Sequence, residues 1–370
     1  MTTLLTGSTG FIGQYVLRDL LRRNERVVVL MRGLERASRL RLASIMRPLD
    51  VAIEQHLADR QLIIAAGVLP DELPAMDWGR TDRLVHCAAC LQVDSDREGE
   101  PFRTNVEGTR ALTDWAQRHH VPHFYLVSTA YTCGRNCKTA LEQMHVPQPR
   151  FETAYELSKW GAEAILHNWA SAKGHQATIL RPSLVAGDYH TGYATRYVGF
   201  YLLARVIDRL AENFRDRRHN GTLTLPLRIP ARPEARQNVV PVDYVSAAIV
   251  EIVTRPDLAG RIYHLTNPSP PSNLQIKEWL EAYYQIRGGR FVERLDRSLS
   301  ESLAEDVFLQ TSDKILHQLN HVPEFDSRNT AQALSGSGIE CPQLDARYMF
   351  ALLQFARRHK WGRASRAVAS

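Results

Sequence analysis

Thr3-Leu4-Leu5-Thr6-Gly7-Ser8-Thr9-Gly10-Phe11-Ile12-Gly13 reads as a short strand that runs into a glycine turn and then a helix. Gly7 lets the chain leave the strand tightly, Gly10 removes a side chain where a pyrophosphate would lie, and Gly13 lets the helix press against the sheet. The helix supplies free backbone N–H groups and the positive end of its dipole to the phosphates. Three glycines at this spacing make only a tight turn by themselves. Their place between a strand and an amphipathic helix, at the start of the chain, makes them a dinucleotide cradle.

Strands and helices alternate beyond the first helix, which is expected over about Phe11 to Arg23. Arg26 to Met31 (RVVVLM) is a continuous apolar run of the kind buried on both faces of a parallel sheet. Leu34 to Met46 has helical character, Gln61 to Ala66 and Arg83 to Cys87 are strands, and a helix is expected over about Arg103 to His119. His123 to Ser128 is a fifth strand, Thr153 to Ala172 a long helix, and Gln176 to Arg181 a sixth strand stopped by Pro182. This succession predicts an α/β fold, a doubly wound parallel sheet with ligands at the carboxyl ends of its strands.

Regular alternation stops after Gly187. Gly192 to Arg217 looks helical and carries Tyr193, Tyr197, Phe200 and Tyr201, and Gly221 to Asn238 is rich in Pro and Arg. Val242 to Thr254 is an apolar helix, Ile262 to Thr266 a strand, and Ser272 or Asn273 caps a helix with Glu278, Trp279 and Tyr283. From about Leu299 the pattern is mostly helical, ending on Gln343 to Trp361. The expected organisation is a nucleotide domain over 1–187, rejoined by about 238–266. A smaller, mostly helical substrate-binding cap would take 188–237 and 267–370.

The 370 residues, 44% hydrophobic and 23% charged, can bury a full α/β domain and a smaller unit. No basic and apolar leader opens the sequence and no apolar run reaches the ~18 residues of a membrane span, so a cytoplasmic location is expected. A net charge of +6 is a mild excess suited to a solvated surface and gives no expectation of nucleic-acid binding. Two basic runs stand out: Arg32, Arg36, Arg39, Arg41 and Arg47 near the cofactor phosphates, and Arg357-Arg358-His359-Lys360 with Arg363 and Arg366. The second is either a patch for an acidic partner or a solvated end. The five cysteines, Cys87, Cys90, Cys133, Cys137 and Cys341, argue against a disulfide framework. Cys87 and Cys90 have CxxC spacing but lack a second His/Cys pair, so no metal is expected and the thiols are read as buried.

Tyr155 and Lys159 stand four apart at the start of the long helix, on one face. An ammonium within about 4 Å of a phenol of pKa ~10, at an effective dielectric of ~20, is worth roughly 4 kcal/mol, or about three pKa units. Tyr155 is therefore expected to exchange a proton near neutral pH. Ser128 and Thr129 close the fifth strand, where the crevice must lie. Successive residues alternate sides, and Thr129 is taken as the one that holds a substrate oxygen.

TGSTGFIG (Thr6 to Gly13), VHCAA (Val85 to Ala89), NVEGT (Asn105 to Thr109), STAYTCG (Ser128 to Gly134), YELSK (Tyr155 to Lys159) and RPSLVAG (Arg181 to Gly187) occur in the order found in extended short-chain dehydrogenases/reductases. The chain resembles that family over about its first 190 residues, with further support from Val240 to Val250. The resemblance implies Tyr155 as catalytic acid/base, Lys159 as its electrostatic partner and ribose ligand, and Thr129 as the third member. It implies a pyrophosphate held by Thr6, Gly7, Ser8, Thr9, Gly10, Phe11, Ile12 and Gly13. Ala88 and Ala89 would pass the adenosine side, and Pro182, Ser183 and Val185 would border the nicotinamide.

Within the family, STAYTCG, SKWGAEAIL and Arg32 are most similar to fatty acyl-CoA reductases and carrier-protein thioester reductases. Met31-Arg32 replaces the carboxylate that an NAD enzyme offers the ribose 2′-hydroxyl, which favours a 2′-phosphate and NADPH, with Arg41 as a second ligand. Ala66-Gly67-Val68 departs from the family's usual Gly-Asp pair near the adenine, so adenine recognition is expected to differ. The implied reaction is NADPH-dependent reduction of an acyl thioester, on coenzyme A or an acyl or peptidyl carrier protein, to an aldehyde and onward to an alcohol. Cys133 and Cys137 are not needed as nucleophiles. The alternatives are a ketone, alcohol or nucleotide-sugar substrate, or a non-catalytic NADP sensor.

Overall fold

The computed structural model describes residues 1–75, 77–173, 175–295, 302–320 and 323–362; side chains 172–173, 312–315 and 317–318 are not among those described. Arg363 and Arg366 of the basic tail, and Leu299, lie outside the described residues. Two compact units are formed, the first from 1–183, 242–266 and 324–341, the second from 184–241, 267–323 and 342–370.

The first unit is built on seven parallel strands: β1 (Thr2–Thr6), β2 (Arg26–Met31), β3 (Leu62–Ala66), β4 (Arg83–His86), β5 (His123–Val127), β7 (Gln176–Pro182) and β11 (Ile262–Leu265), with β6 the short Thr139–Ala140. Their order is β11-β7-β5-β4-β1-β2-β3. Strand order therefore reverses between β1 and β4, which opens the crevice of a doubly wound sheet beside the glycine turn. The flanking helices are α1 (Phe11–Arg22), α2 (Glu35–Met46), α3 (Ile53–Ala58), α4 (Gly108–Arg118), α5 (Ala154–Lys173), α7 (Val242–Thr254) and the short α10 (Arg328–Leu334). One core cluster joins Leu4, Val28, Leu84, Phe124 and Leu126 of the strands to Leu112 and Trp115 of α4 and Leu166 of α5. Each such side chain contributes roughly 1.5–3 kcal/mol by leaving water.

Several boundaries differ from expectation for local reasons. The helix expected from Arg103 opens as a wide π turn over Arg103–Glu107 before α4 begins. Pro182 does not stop the sixth strand but extends it, paired with Leu265. Cys87 falls just beyond β4, and only Cys133 of the five free cysteines is buried. The segment 324–341, expected in the cap, belongs to the first unit. There β13 (Glu324–Phe325) pairs with β6, and the Glu142 carboxylate accepts from Thr330 Oγ1 at 2.8 Å and His264 N at 2.8 Å.

The second unit carries β8 (Leu184–Ala186), β9 (Leu223–Ile229), β10 (Val239–Pro241), β12 (Ile286–Phe291), α6 (Phe200–Asn213), α8 (Asn273–Tyr284), α9 (Leu303–Leu316) and α11 (Ala346–Arg358). The helix expected from Gly192 starts only at Phe200, because Gly199 precedes it at φ +60, outside helical geometry. Tyr193 and Tyr197 consequently lie before the helix. Ser272 caps α8 in a reciprocal arrangement with Gln275.

Candidate active site

Gly7 leaves β1 at φ +74, and a side chain there would strike the backbone of Cys87 and Ala88. Gly13 is equally confined, since a Cβ would fall on the Gly7 carbonyl oxygen. Gly13→Ala is expected to push α1 off the turn, at a cost of about 1–3 kcal/mol. The predicted result is a lower melting temperature and a roughly tenfold or greater loss of affinity for the reduced nicotinamide cofactor, read by its fluorescence. An unchanged affinity would contradict this close packing.

Helix α1 starts without a side-chain cap and without an acidic residue in its first turn. Its leading N–H groups are thus available to an anion. Ser8 Oγ and both amide atoms of Gln14 are buried without a partner among the described residues, so the cradle is short of hydrogen-bond partners, as expected where a polar ligand completes it. These residues fit a dinucleotide. Thr9 is exposed, and Phe11 and Ile12 are half-buried. Thr6 is placed differently from expectation: its hydroxyl is 2.7 Å from His86 Nδ1 and accepts from Ala88 N at 3.4 Å. The side chain therefore ties β1 to β4, as does its carbonyl, which accepts from Cys87 N at 3.1 Å.

Arg32 is exposed at the carboxyl end of β2, and Arg41 Nη2 donates to its carbonyl at 3.3 Å. Both cations thus stand beside the strand next to the cradle. Ala88 and Ala89 follow β4 as partly exposed residues. Pro182 and Ser183 close the first unit's β7 region, with Ser183 N bonded to Leu265 O at 3.3 Å, whereas Val185 belongs to β8 in the second unit.

Tyr155 and Lys159 lie in the first two turns of α5. Lys159 is 1% exposed, and its Nζ donates to Val127 O at 2.8 Å, at the end of β5. Burial pushes the ammonium down to about 8, opposed by Glu163 and Cys87. The expected lowering of the Tyr155 phenol is not found. Burial, followed by the Glu156 charge, raises it, and Lys159, engaged by the Val127 carbonyl, does not offset this. Tyr155 is therefore a protonated donor across the neutral range. Thr129 Oγ1 accepts from Tyr131 N at 3.4 Å and caps a 3₁₀ turn over Ala130–Cys133, while Ser128 Oγ is buried without a partner among the described residues. Burial keeps Cys133 protonated, and Cys87, partly exposed as a residue but with a desolvated thiol, is pushed up to about 12, so neither supplies a thiolate. Among the described residues no group of three or more His, Cys, Asp or Glu is arranged for a metal, and no helix is long and apolar enough to cross a membrane.

Two structural contributors carried no assigned role in the sequence. Asn105, in the π turn, accepts from Cys90 N at 2.8 Å and donates to Cys90 O at 2.9 Å and Ser158 Oγ at 2.8 Å; it fixes the segment after β4 to α5. Its signal was its place in NVEGT. His86, in VHCAA, is fully buried, and burial, then the Lys159 charge, holds it down to about 3. The unfolded chain binds a proton at pH 6.5 and below more readily than the folded one does. Stability is therefore lost as pH falls from about 6.5 toward 3, by about 3 kcal/mol at pH 4 from this residue. Urea unfolding from pH 7 to pH 4 should show that slope, and His86→Gln should flatten it; an equal slope in the variant would refute the assignment.

The strand order, the glycine cradle and the Tyr155–Lys159 helix define an extended short-chain dehydrogenase/reductase, a class of NAD(P)-dependent oxidoreductases. Residues 5–249 match the family described as male sterility protein, and the chain belongs to that family. An aldehyde reductase of Aspergillus flavus, lnaA, is 26% identical over 93% of this chain and 35% of its own length. Sterol demethylase protein B of Methylococcus capsulatus is 34% identical over 51% of this chain and 53% of its own. The chain thus spans about a third to a half of the length of these relatives. Among solved structures, the terminal R domain from the myxalamid PKS-NRPS biosynthetic pathway is 25% identical, covers 97% of this chain and 91% of that one, and superposes with a TM-score of 0.76.

Proposed function

We propose that the protein is an NADPH-dependent reductase of an acyl thioester, carried on coenzyme A or on a carrier protein. The observation that carries this reading is the bond from Lys159 Nζ to the Val127 carbonyl at the carboxyl end of β5, two residues before Thr129, with Tyr155 one turn earlier on α5. Likeness to an R domain of a PKS-NRPS pathway and to an aldehyde reductase supports the substrate class. The α1 N-terminus, Arg32 and Arg41 would hold the cofactor, whose chemistry would be hydride donation to the thioester carbonyl. Tyr155 and Thr129 hydrogen-bond the oxygen on which charge grows, and Tyr155 protonates it. Lys159, its Nζ on the Val127 carbonyl at the end of β5, would hold the ribose. The hemithioacetal so formed expels its thiol and leaves an aldehyde, which a second reduction takes to the alcohol. The substrate preference is assigned to the second unit.

A second reading, the same chemistry on a ketone or alcohol, is favoured by the 34% identity to sterol demethylase protein B. Cofactor oxidation by the purified protein against acyl-CoA, carrier-bound acyl thioesters, aldehydes and ketones separates the two. Turnover confined to ketones would overturn the thioester reading. Binding of NADPH with no turnover on any substrate would make the protein a sensor.

A further inference from the structure

Behind Tyr155 and Lys159 the first unit holds a buried ion pair that no step above uses. Glu163 of α5 and Arg181 of β7 are both 0% exposed. Arg181 Nε lies 2.9 Å from Glu163 Oε1 and Nη2 lies 2.7 Å from Oε2, so fork and carboxylate meet through two parallel bonds. The remaining nitrogen, Nη1, donates to Gln143 O and His145 Nε2, both at 3.0 Å. Glu163 Oε1 also accepts from Thr132 Oγ1 at 3.3 Å. The same hydroxyl lies 3.2 Å from the Thr129 carbonyl oxygen. One carboxylate thus joins the turn that Thr129 caps to the helix of Tyr155 and Lys159, and both to β7.

As a stabilising device this is poor value, because apolar side chains of the same volume usually serve a core as well as a buried ion pair. What the pair supplies is direction. Glu163 stands one helical turn beyond Lys159, on the same face. We propose that Glu163, oriented by Arg181, is a positioning residue that locks the Thr129 turn, through Thr132, to the helix presenting Tyr155 and Lys159. The inference rests on the reading of those three as the groups that meet the substrate and cofactor. Its carboxylate also favours the charged form of Lys159. The other titratable groups around that ammonium are Cys87 and His86, just beyond and at the end of β4. His145 and His264 face the Arg181 end, where burial, then Arg181, holds both down to about 4.

Thr132→Val keeps the size of the residue and leaves the ion pair intact. It is expected to lower kcat about tenfold, the effect of losing the single hydroxyl that Glu163 and the Thr129 carbonyl share, with the NADPH dissociation constant and melting temperature near those of the parent. Thr132→Ser should restore kcat to within about twofold. Glu163→Gln, measured on whatever fraction folds, should move the alkaline limb of the kcat profile about one unit to lower pH; a purely structural role would reduce folded enzyme without moving the limb. Unchanged kcat in Thr132→Val overturns the inference, as does an alkaline limb that Glu163→Gln leaves in place. Tyr155→Phe separates this from the reading beneath it. If that variant turns over normally, the catalytic reading fails; if it is inactive while Thr132→Val and Glu163→Gln behave like the parent, only the positioning role fails.

Discussion

Tyr155→Phe is expected to abolish turnover while leaving NADPH binding within about twofold of the parent. The phenol is raised by burial and remains protonated through the assay range, so the contribution expected of it is that of a preorganised hydrogen-bond donor to a developing oxyanion. A single donor of this kind is worth about a hundred- to ten-thousandfold in rate. The lost hydroxyl leaves the ring in place, so the helix and its neighbours are undisturbed. Single-turnover cofactor oxidation and a fluorescence titration of NADPH measure the two quantities separately. Turnover within tenfold of the parent would remove Tyr155 from the chemistry. Because Lys159 is held down to about 8 by burial, the alkaline loss of rate in the parent should follow the lysine and not the phenol.

Arg32→Ala is expected to weaken NADPH by about ten- to a hundredfold and NADH by no more than about twofold. An exposed guanidinium at the end of β2 can form charge-assisted hydrogen bonds to a 2′-phosphate, each worth about 1.5–3 kcal/mol, and NADH lacks the group they recognise. Arg41 donates to the Arg32 carbonyl, so Arg41→Ala should give a smaller loss in the same direction. Equal losses for both cofactors, from titrations at matched ionic strength, would refute the phosphate assignment. The matched salt matters because exposed charges are screened over about 10 Å at 0.1 M.

Much of the first unit was legible because its signals are local. Arg26–Met31 and Val242–Thr254 appear at the expected residues, since the unbroken apolar run of the first and the predominantly apolar helical pattern of the second need no distant partner to be recognised. The boundary at Phe200 was missed because it depends on the left-handed conformation of Gly199, and glycine has no side chain to announce which conformation it takes. The return of 324–341 to the first unit was missed because Glu142, nearly two hundred residues earlier, receives its backbone.

The same division runs through the site. The sequence by itself determined the doubly wound fold, the glycine turn before α1 and the placing of Tyr155 and Lys159 four apart on one helix, because helical spacing and turn chemistry follow from neighbours along the chain. Only the tertiary structure decided the charge states and the second layer of contacts. Tyr155 is raised and not lowered, because its ionisation depends on how much water the fold removes and on where the Lys159 ammonium is drawn. Thr6 meets His86 across 80 residues, and Glu163 meets Arg181 across 18. Desolvation and pairing at such separations are properties of the packed chain, and no window of sequence contains both partners and the solvent they exclude.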